Sequence, residues 1–562
     1  MNAPGMGKRS AWMKIAAAVT SGLLVAGLFP PFHFAVLVWV ALMPLLWALW
    51  SVDGKRAGWK GFAIGWLAGA VSGWVQFSWL NVVSPLGAAV LPMYLAIYWG
   101  LFGAFAATLG NPWKRDAGSL RTAFFHAAIW AGLEWLRGWF FTGFSWNTLG
   151  VAFQETPLIA QAADVLGLTG LSMLPVFFQA VAVQSGKRFL NGTRKPPLDL
   201  AAVLGVIGLV IAYGYARISI ERSGGKTRLK TLLVQINIPQ DAARVLWSAL
   251  DVHMAYEDET LKALDGVKQN WPDWVMWPES ALTGRILRTD DGTWGMWREN
   301  QETIAQVRTA GPFQLIYGIN ELEAEKTSDG QLAMKDKGRA WNSIAVMSPE
   351  DSLQTYRKHH LVIFGETIPF VDSIPLLKKI YEQQAGVEYG GSFTAGESLD
   401  PLPIPTAAGK TIGAIPTVCF EDSVARLVRK FVRPGPQVIV NVTNDGWFKE
   451  SAAADQHFAT ARFRAIELRR PMLRCANTGV SAAIDSTGST AHPDTGKPQI
   501  LTDAHGSHFT RGSLLTELDV PLHPSFSLYA LIGDWGVISL AGIALIWAGK
   551  CRRSTPEMHA NP

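Results

Sequence analysis

The stretch "TIGAIPTVCFED", residues 411–422, decides how the second half of this 562-residue chain is read. Its apolar run suits one buried strand and ends on a thiol, Cys419, with two carboxylates, Glu421 and Asp422, just beyond. A strand that turns sharply at a nucleophile exposes that side chain and leaves backbone N–H groups where an oxyanion would form. A lone cysteine is more often an inert core residue. The functional reading therefore needs partners elsewhere in the chain.

Working outward, strand-like apolar runs recur at 229–238, 274–280, 313–320, 342–348, 437–444, 472–477 and 481–488. A helical stretch, "DQHFATARFRAIELRR", lies among them at 455–470. Its Phe458, Ala461, Ala465 and Leu468 form an apolar stripe suited to a core. Strands alternating with helices predict an α/β layered domain over residues 226–522. The Gly-rich stretch 382–398 reads as a mobile loop, and 283–297 as a loop with aromatic and aliphatic residues suited to a membrane interface.

The rest of the chain has another character. Hydrophobic residues make up 49 % of the sequence and charged residues 17 %, against about a quarter charged in soluble proteins. Apolar segments near 12–29, 34–50, 61–82, 88–110, 121–142, 158–183, 198–216 and 528–549 predict eight membrane spans. Basic residues cluster in alternate connections: Lys8, Arg9 and Lys14; Lys55, Arg56 and Lys60; Lys114, Arg115 and Arg121; Lys187, Arg188, Arg194 and Lys195; Lys550, Arg552 and Arg553. The intervening stretches 30–33, 83–87 and 143–157 contain no Lys or Arg. Positive loops stay in the cytoplasm. Both termini are thus expected inside and residues 226–522 outside. Glu134 and Arg137 share a helix face in the fifth span, as a structural ion pair or beside a lateral lipid entry. The expected domains are 1–225, seven spans; 226–522, the catalytic domain; and 523–562, the last span and tail.

Two further stretches carry groups that would partner Cys419. Glu279 in "WPES" closes an apolar strand, where burial would raise its carboxyl towards the range useful to a general base. In "YRKHHLVIFGETIPF", Lys358 precedes an apolar run and Glu366 follows a glycine turn. Adjacent His359 and His360 would point opposite ways on a strand, a poor metal pair. The chain's three cysteines, Cys419, Cys475 and Cys551, give no disulfide framework and no CxxC pair.

Glu279 in "WPES", Lys358 in "RKHHLVIFGE" and Cys419 in "VCFED" resemble the Glu–Lys–Cys triad of the nitrilase superfamily. With the eight-span frame and the stretches "EWLRGWFFTGFSW", "VQINIPQ", "NDGWF" and "QHFATARFRAIELRRPMLRCANTGVSAAID", nearly the whole chain resembles the bacterial apolipoprotein N-acyltransferase family. The resemblance implies an αββα, nitrilase-like sandwich outside the inner membrane, carried on a multi-pass helical domain. It also implies acyl transfer through a Cys419 thioester from a phospholipid, phosphatidylethanolamine, to the α-amino group of a diacylglyceryl-apolipoprotein. Glu279 would be the base and Lys358 the oxyanion partner, also lowering the thiol's pKa. Glu366, Phe420, Glu421, Trp247 and Trp447 would support the site or bind substrate. No metal, cofactor or nucleic acid is implied, and a monomer is expected. The sequence departs from the family pattern at Ile363, where proline is usual, and at Phe420, where tyrosine is common. A membrane-tethered amidase using water, or a transporter or receptor with an inactive enzyme-like domain, are the rival readings.

Overall fold

The computed structural model describes residues 4–114, 118–192, 197–241, 244–267, 270–368, 370, 371, 373–385, 389 and 391–553. Arg115, Arg194 and Lys195 of the basic clusters, and residues 386–388 and 390 of the Gly-rich stretch, lie outside them. The chain splits into two compact units, Met1–Ile218 with Leu531–Pro562, and Ser219–Ala530.

The first unit is helical. Helices Ala57–Gln76 and Pro85–Ala107 pack backbone to backbone. A Cβ on Gly61 would lie 2.4 Å from Gly103 O, so glycine alone permits this approach. Among the described residues, Pro85–Ala107 and Leu198–Ser223 are long and apolar enough to cross a membrane. Ala163–Leu171 with Met173–Leu190 makes a third if the pair, bent by 57°, acts as one. Ser10–Ala26, Ala35–Trp50 and Trp535–Lys550 are shorter apolar segments.

Several expected spans are broken, for local reasons. Segment 34–50 becomes a short 3-10 turn, Ala35–Trp39, and a separate helix, Met43–Trp50, with proline in its first turn. Segment 158–183 is interrupted at Gly167, whose φ of 73° no continuous helix accommodates. Segment 121–142 ends as a helix at Arg137. Glu134 and Arg137 are buried there, each with further partners. Glu134 Oε1 accepts from Trp130 Nε1 and Leu149 N, both at 2.9 Å, and Arg137 Nη2 donates to Trp146 O at 2.8 Å. Asp164 accepts from Tyr213 Oη at 2.7 Å and Arg217 Nε at 2.9 Å.

The second unit is built on two sheets. One runs in the order Leu353–Arg357, Ala340–Met347, Gln314–Lys326, Trp274–Met276, Lys226–Gln235, Gly512–Pro521. The other runs Leu402–Pro405, Thr411–Val418, Gln437–Thr443, Met472–Ala476, Ala482–Ile484. The middle strands of each are parallel: Lys226–Gln235, Trp274–Met276 and Gln314–Lys326 in the first, and Thr411–Val418, Gln437–Thr443 and Met472–Ala476 in the second. Alternation decides which residues go where. Leu229, Leu233 and Met276 join Ile439, Val440 and Met472 in one core cluster that takes in both sheets. Leu232, Val234 and Val275 pack instead with Val252, Tyr256 and Ile304 of helices Ala249–Asp265 and Arg298–Arg308. Helix residues Ala461, Ala465 and Leu468 cover the second sheet. The layers are therefore helix, sheet, sheet, helix.

Three expectations change. The stretch 283–297 is a β-hairpin, Arg285–Arg288 with Trp294–Met296, and its first strand pairs with Gln314–Lys326. The helix expected over 455–470 is two, Ala452–Ala461 and Phe463–Leu468. The Gly-rich stretch is pinned near its end, where Thr394 N donates to Ala340 O at 2.7 Å and Gly396 N donates to Lys358 O at 2.8 Å.

Leu473 is fully buried and shares its strand face with Cys475, whose Sγ reaches Val234 O and Met276 O of the first sheet. Leu473→Ala is expected to cost about 2–5 kcal/mol, because the emptied volume stays open. Denaturant unfolding of the purified protein in detergent measures it, and a loss near zero would contradict the two-sheet core.

Candidate active site

Glu279 lies just past the central strand Trp274–Met276. Hydrogen bonding to the neighbouring strand continues around it: Gly318 N donates to Pro278 O and Ala281 N donates to Gly318 O, both at 3.0 Å. A Cβ on Gly318 would lie 2.5 Å from Glu279 Cα, so the glutamate's backbone rests directly on that glycine. The next residue, Ser280, turns the chain with a φ of 51°.

Asn342, buried in the strand Ala340–Met347, reaches two acids with one amide. Its Nδ2 donates to Glu279 Oε1 at 2.8 Å and to Glu366 Oε1 at 2.7 Å. Its backbone carbonyl accepts from Lys358 N at 2.8 Å, which brings the lysine to the same point. Lys358 is 1 % exposed. Its Nζ lies 2.8 Å from Glu366 Oε2 and 3.9 Å from Glu279 Oε1. Glu366 Oε2 also accepts from Val362 N at 3.0 Å, closing its own turn.

Cys419 follows the strand Thr411–Val418 and is half-buried, with a φ of 53°. A non-glycine residue in this left-handed region costs on the order of 1–3 kcal/mol and persists only when its surroundings hold it. Glu279 and Lys358 both act electrically on the thiol, with opposite sign. Asn441 Nδ2 donates to Cys419 O at 3.2 Å and to Thr417 Oγ1 at 3.1 Å. Glu421, fully buried, accepts from Val418 N at 2.8 Å, His359 N at 2.7 Å, His360 N at 2.9 Å and Tyr356 Oη at 3.0 Å. One carboxylate therefore joins the turn of Cys419 to the segment that carries Lys358.

Burial pushes the Glu279 carboxyl above its usual range, Glu366 adds to this, and Lys358 and the Asn342 hydrogen bond oppose it. For Lys358, burial favours the neutral amine, but Glu366 and Glu279 more than offset this and hold the proton firmly. Burial and then Glu279 raise the Cys419 thiol well above its usual value. Lys358 pulls it down, as the sequence suggests, without winning. The resting site thus holds a neutral thiol beside Glu279, whose carboxyl group is raised towards the range of a proton acceptor. Burial raises Glu421 to about 7, with Lys358 and three backbone N–H groups holding it back.

The other expected residues divide. Phe420 stacks on His360 with ring centroids 6.0 Å apart. Trp247 packs on the outer, helix-covered cluster of the first sheet. Trp447 is half-buried on the turn Asp445–Phe448. Among the described residues, no hydrogen bond or ring contact joins either tryptophan to Glu279, Lys358 or Cys419.

The description "Apolipoprotein N-acyltransferase N-terminal domain" matches residues 21–181, and "Carbon-nitrogen hydrolase" matches residues 233–503. A Rhizobium rhizogenes apolipoprotein N-acyltransferase is 30 % identical over 502 residues, 84 % of this chain and 86 % of the relative. One from Geobacter metallireducens is 31 % identical over 84 % of this chain and 85 % of the relative. One from Bradyrhizobium diazoefficiens is 30 % identical over 98 % of this chain and 96 % of the relative. The chain belongs to the apolipoprotein N-acyltransferase family.

Within this member of the acyltransferase family, sequence reasoning passed over Asn342, Gly318 and Tyr356. Asn342 left one signal, a lone amide in the apolar strand "NSIAVMS". Gly318 left none, since its role is the absence of a side chain against a distant backbone.

Two substitutions test the geometry. Asn342 donates to the Glu279 carboxylate and so favours its charged form. Asn342→Leu is expected to raise the Glu279 pKa further, moving the acid limb of the pH–rate profile to higher pH. An unmoved limb would contradict the clamp. Glu421→Gln sets an amide N–H against one of several donors, and a displaced Cys419 turn is expected to lower kcat on the order of 100-fold, while circular dichroism of the folded protein is retained.

Proposed function

We propose that this protein transfers a fatty acyl chain from a phospholipid, phosphatidylethanolamine, through a thioester on Cys419 to the α-amino group of an apolipoprotein's diacylglyceryl-cysteine. Family membership supports the overall reaction, N-acylation of apolipoproteins. The observation that carries the assignment of residues is the meeting of Glu279, Lys358 and Cys419, from three distant stretches, in one buried cluster.

Glu279 takes the thiol proton as Sγ attacks the ester carbonyl. The tetrahedral oxyanion is met by the Lys358 ammonium and by the backbone N–H of Phe420. Collapse breaks the ester C–O bond, and the departing lysophospholipid alkoxide takes the proton from Glu279. The acceptor amine then attacks the thioester and gives its proton to Glu279. The amide forms as Cys419 leaves and recovers that proton. Cysteine suits both halves, because a thioester stays reactive towards amines. Glu366 and Asn342 hold Lys358 and Glu279 in register throughout.

The helical unit would anchor the enzyme in the inner membrane as eight passes. The alternating basic clusters support cytoplasmic termini and a periplasmic catalytic unit. Both lipid-anchored substrates then lie in the leaflet next to the site. The enzyme acts as a monomer.

Purified protein incubated with phosphatidylethanolamine carrying a labelled acyl chain is expected to form a hydroxylamine-labile adduct on the Cys419 peptide. Cys419→Ala should form none, and acyl-enzyme in that variant would overturn the nucleophile assignment. Lys358→Met should slow acylation roughly 100- to 1,000-fold, the effect of losing one oxyanion partner. Release of free fatty acid in preference to transfer to a diacylglyceryl peptide would favour the hydrolase reading.

A further inference from the structure

Behind the Cys419 turn lies a group of four charged side chains that the acyl-transfer chemistry does not use. Asp422 belongs to the nucleophile's own turn, and Asp445 begins the turn after the neighbouring strand Gln437–Thr443. His457 projects from helix Ala452–Ala461, and Arg474 from strand Met472–Ala476. None is more than 1 % exposed. His457 Nε2 lies 2.8 Å from Asp422 Oδ1, and Nδ1 lies 2.8 Å from Asp445 Oδ1. Arg474 Nη2 is 3.1 Å from Asp445 Oδ2, and Nε is 3.5 Å from Asp422 Oδ2. These pairs close the four side chains into one ring of contacts. Arg474 Nη2 also lies 2.9 Å from His457 Nδ1, and the two nitrogens converge as donors on the Asp445 carboxylate rather than bonding to each other.

Charge counting decides the state of the ring. Two carboxylates and one guanidinium leave an excess negative charge in a site without water, which is expensive unless compensated. Carboxylates only accept, so each His457 nitrogen facing one has to donate. A doubly protonated imidazole meets both demands. Burial lowers the His457 pKa, but Asp422 and Asp445 outweigh it and carry the value to about 9.

The ring is electrically coupled to the nucleophile. Val418 pairs in register with Val442, which sets Cys419 beside Thr443, two residues before Asp445. Asp445 acts on the Cys419 thiol as a negative charge and helps to raise its pKa. Gly479, at a φ of 107°, closes the far side, where a Cβ would lie 2.6 Å from Asp445 Oδ2.

We propose that His457 is a positioning residue for the acyl transfer, which clasps Asp422 and Asp445 and cancels their charge so that Cys419 can give up its proton. It touches no substrate. This inference builds on Cys419 as the nucleophile, but its test reads the thiol directly and does not depend on lipid turnover.

The test is the rate at which iodoacetamide alkylates Cys419 in the full-length protein at pH 7.5, followed on the Cys419 peptide by mass spectrometry. His457→Gln leaves the ring one charge more negative and is expected to slow alkylation on the order of tenfold. Asp445→Asn leaves it one charge more positive and is expected to speed alkylation by a similar factor. In His457→Gln, kcat for acyl transfer should fall while KM for the phospholipid stays constant. The double variant restores the balance and should recover most of the wild-type alkylation rate. A merely structural role predicts that both single variants move the same way and that the double variant is worse than either, and that result would overturn the proposal. If His457→Gln does not fold, Asp445→Asn alone decides by its sign. Failure of acyl transfer in the wild type, with the two opposite alkylation shifts intact, would count against the proposed function and leave this inference standing.

Discussion

A single ammonium, that of Lys358, sits where water does not reach, and the catalytic unit is arranged around that fact. Removing a charged group from water is costly unless opposite charge and hydrogen bonds meet it. Glu366 meets it directly at 2.8 Å, and Glu279 stands at 3.9 Å. The difference suits the chemistry. Glu366 holds the lysine, while Glu279 is left free for the proton exchange with Cys419 that the proposed reaction asks of it. Asn342 spans the two acids with one amide and keeps them from drifting together or apart.

The turn that carries Cys419 depends on a second buried acid. Cys419 occupies a backbone conformation that an isolated chain avoids, and its turn is held by contacts from several sides. Glu421 binds it to the Lys358 segment through N–H and hydroxyl donors from residues 356, 359, 360 and 418. On the opposite side, the ring of Asp422, Asp445, His457 and Arg474 ties it to a neighbouring turn, a helix and a strand. Strain at Cys419 is thus supported by buried polar networks, each of whose members has opposite charge or a donor to face.

The helical unit follows the same rule in an apolar setting. Two of its buried acids meet donors: Glu134 an indole and a backbone N–H, Asp164 a phenol and a guanidinium. Where helices must touch closely, glycine replaces bulk, as at Gly61 and Gly103. Breaks at Gly167 and after Arg137 show why counting apolar residues overstates uninterrupted helices.

Much of this was legible in the amino-acid order. The buried strands announce themselves as apolar runs, because a strand covered on both faces has no polar side to show. The triad residues stand at strand ends or beside a glycine turn, within short stretches whose local pattern is distinctive. What the order of residues could not disclose are relations across the sheets. Gly318 matters only because Glu279 rests on it, and Asn342 only because two acids from other segments converge there. The thiol's raised pKa is likewise a property of enclosure. Periodicity is written along the chain and can be read there, whereas burial, charge balance and close backbone approach exist only between residues that folding brings together.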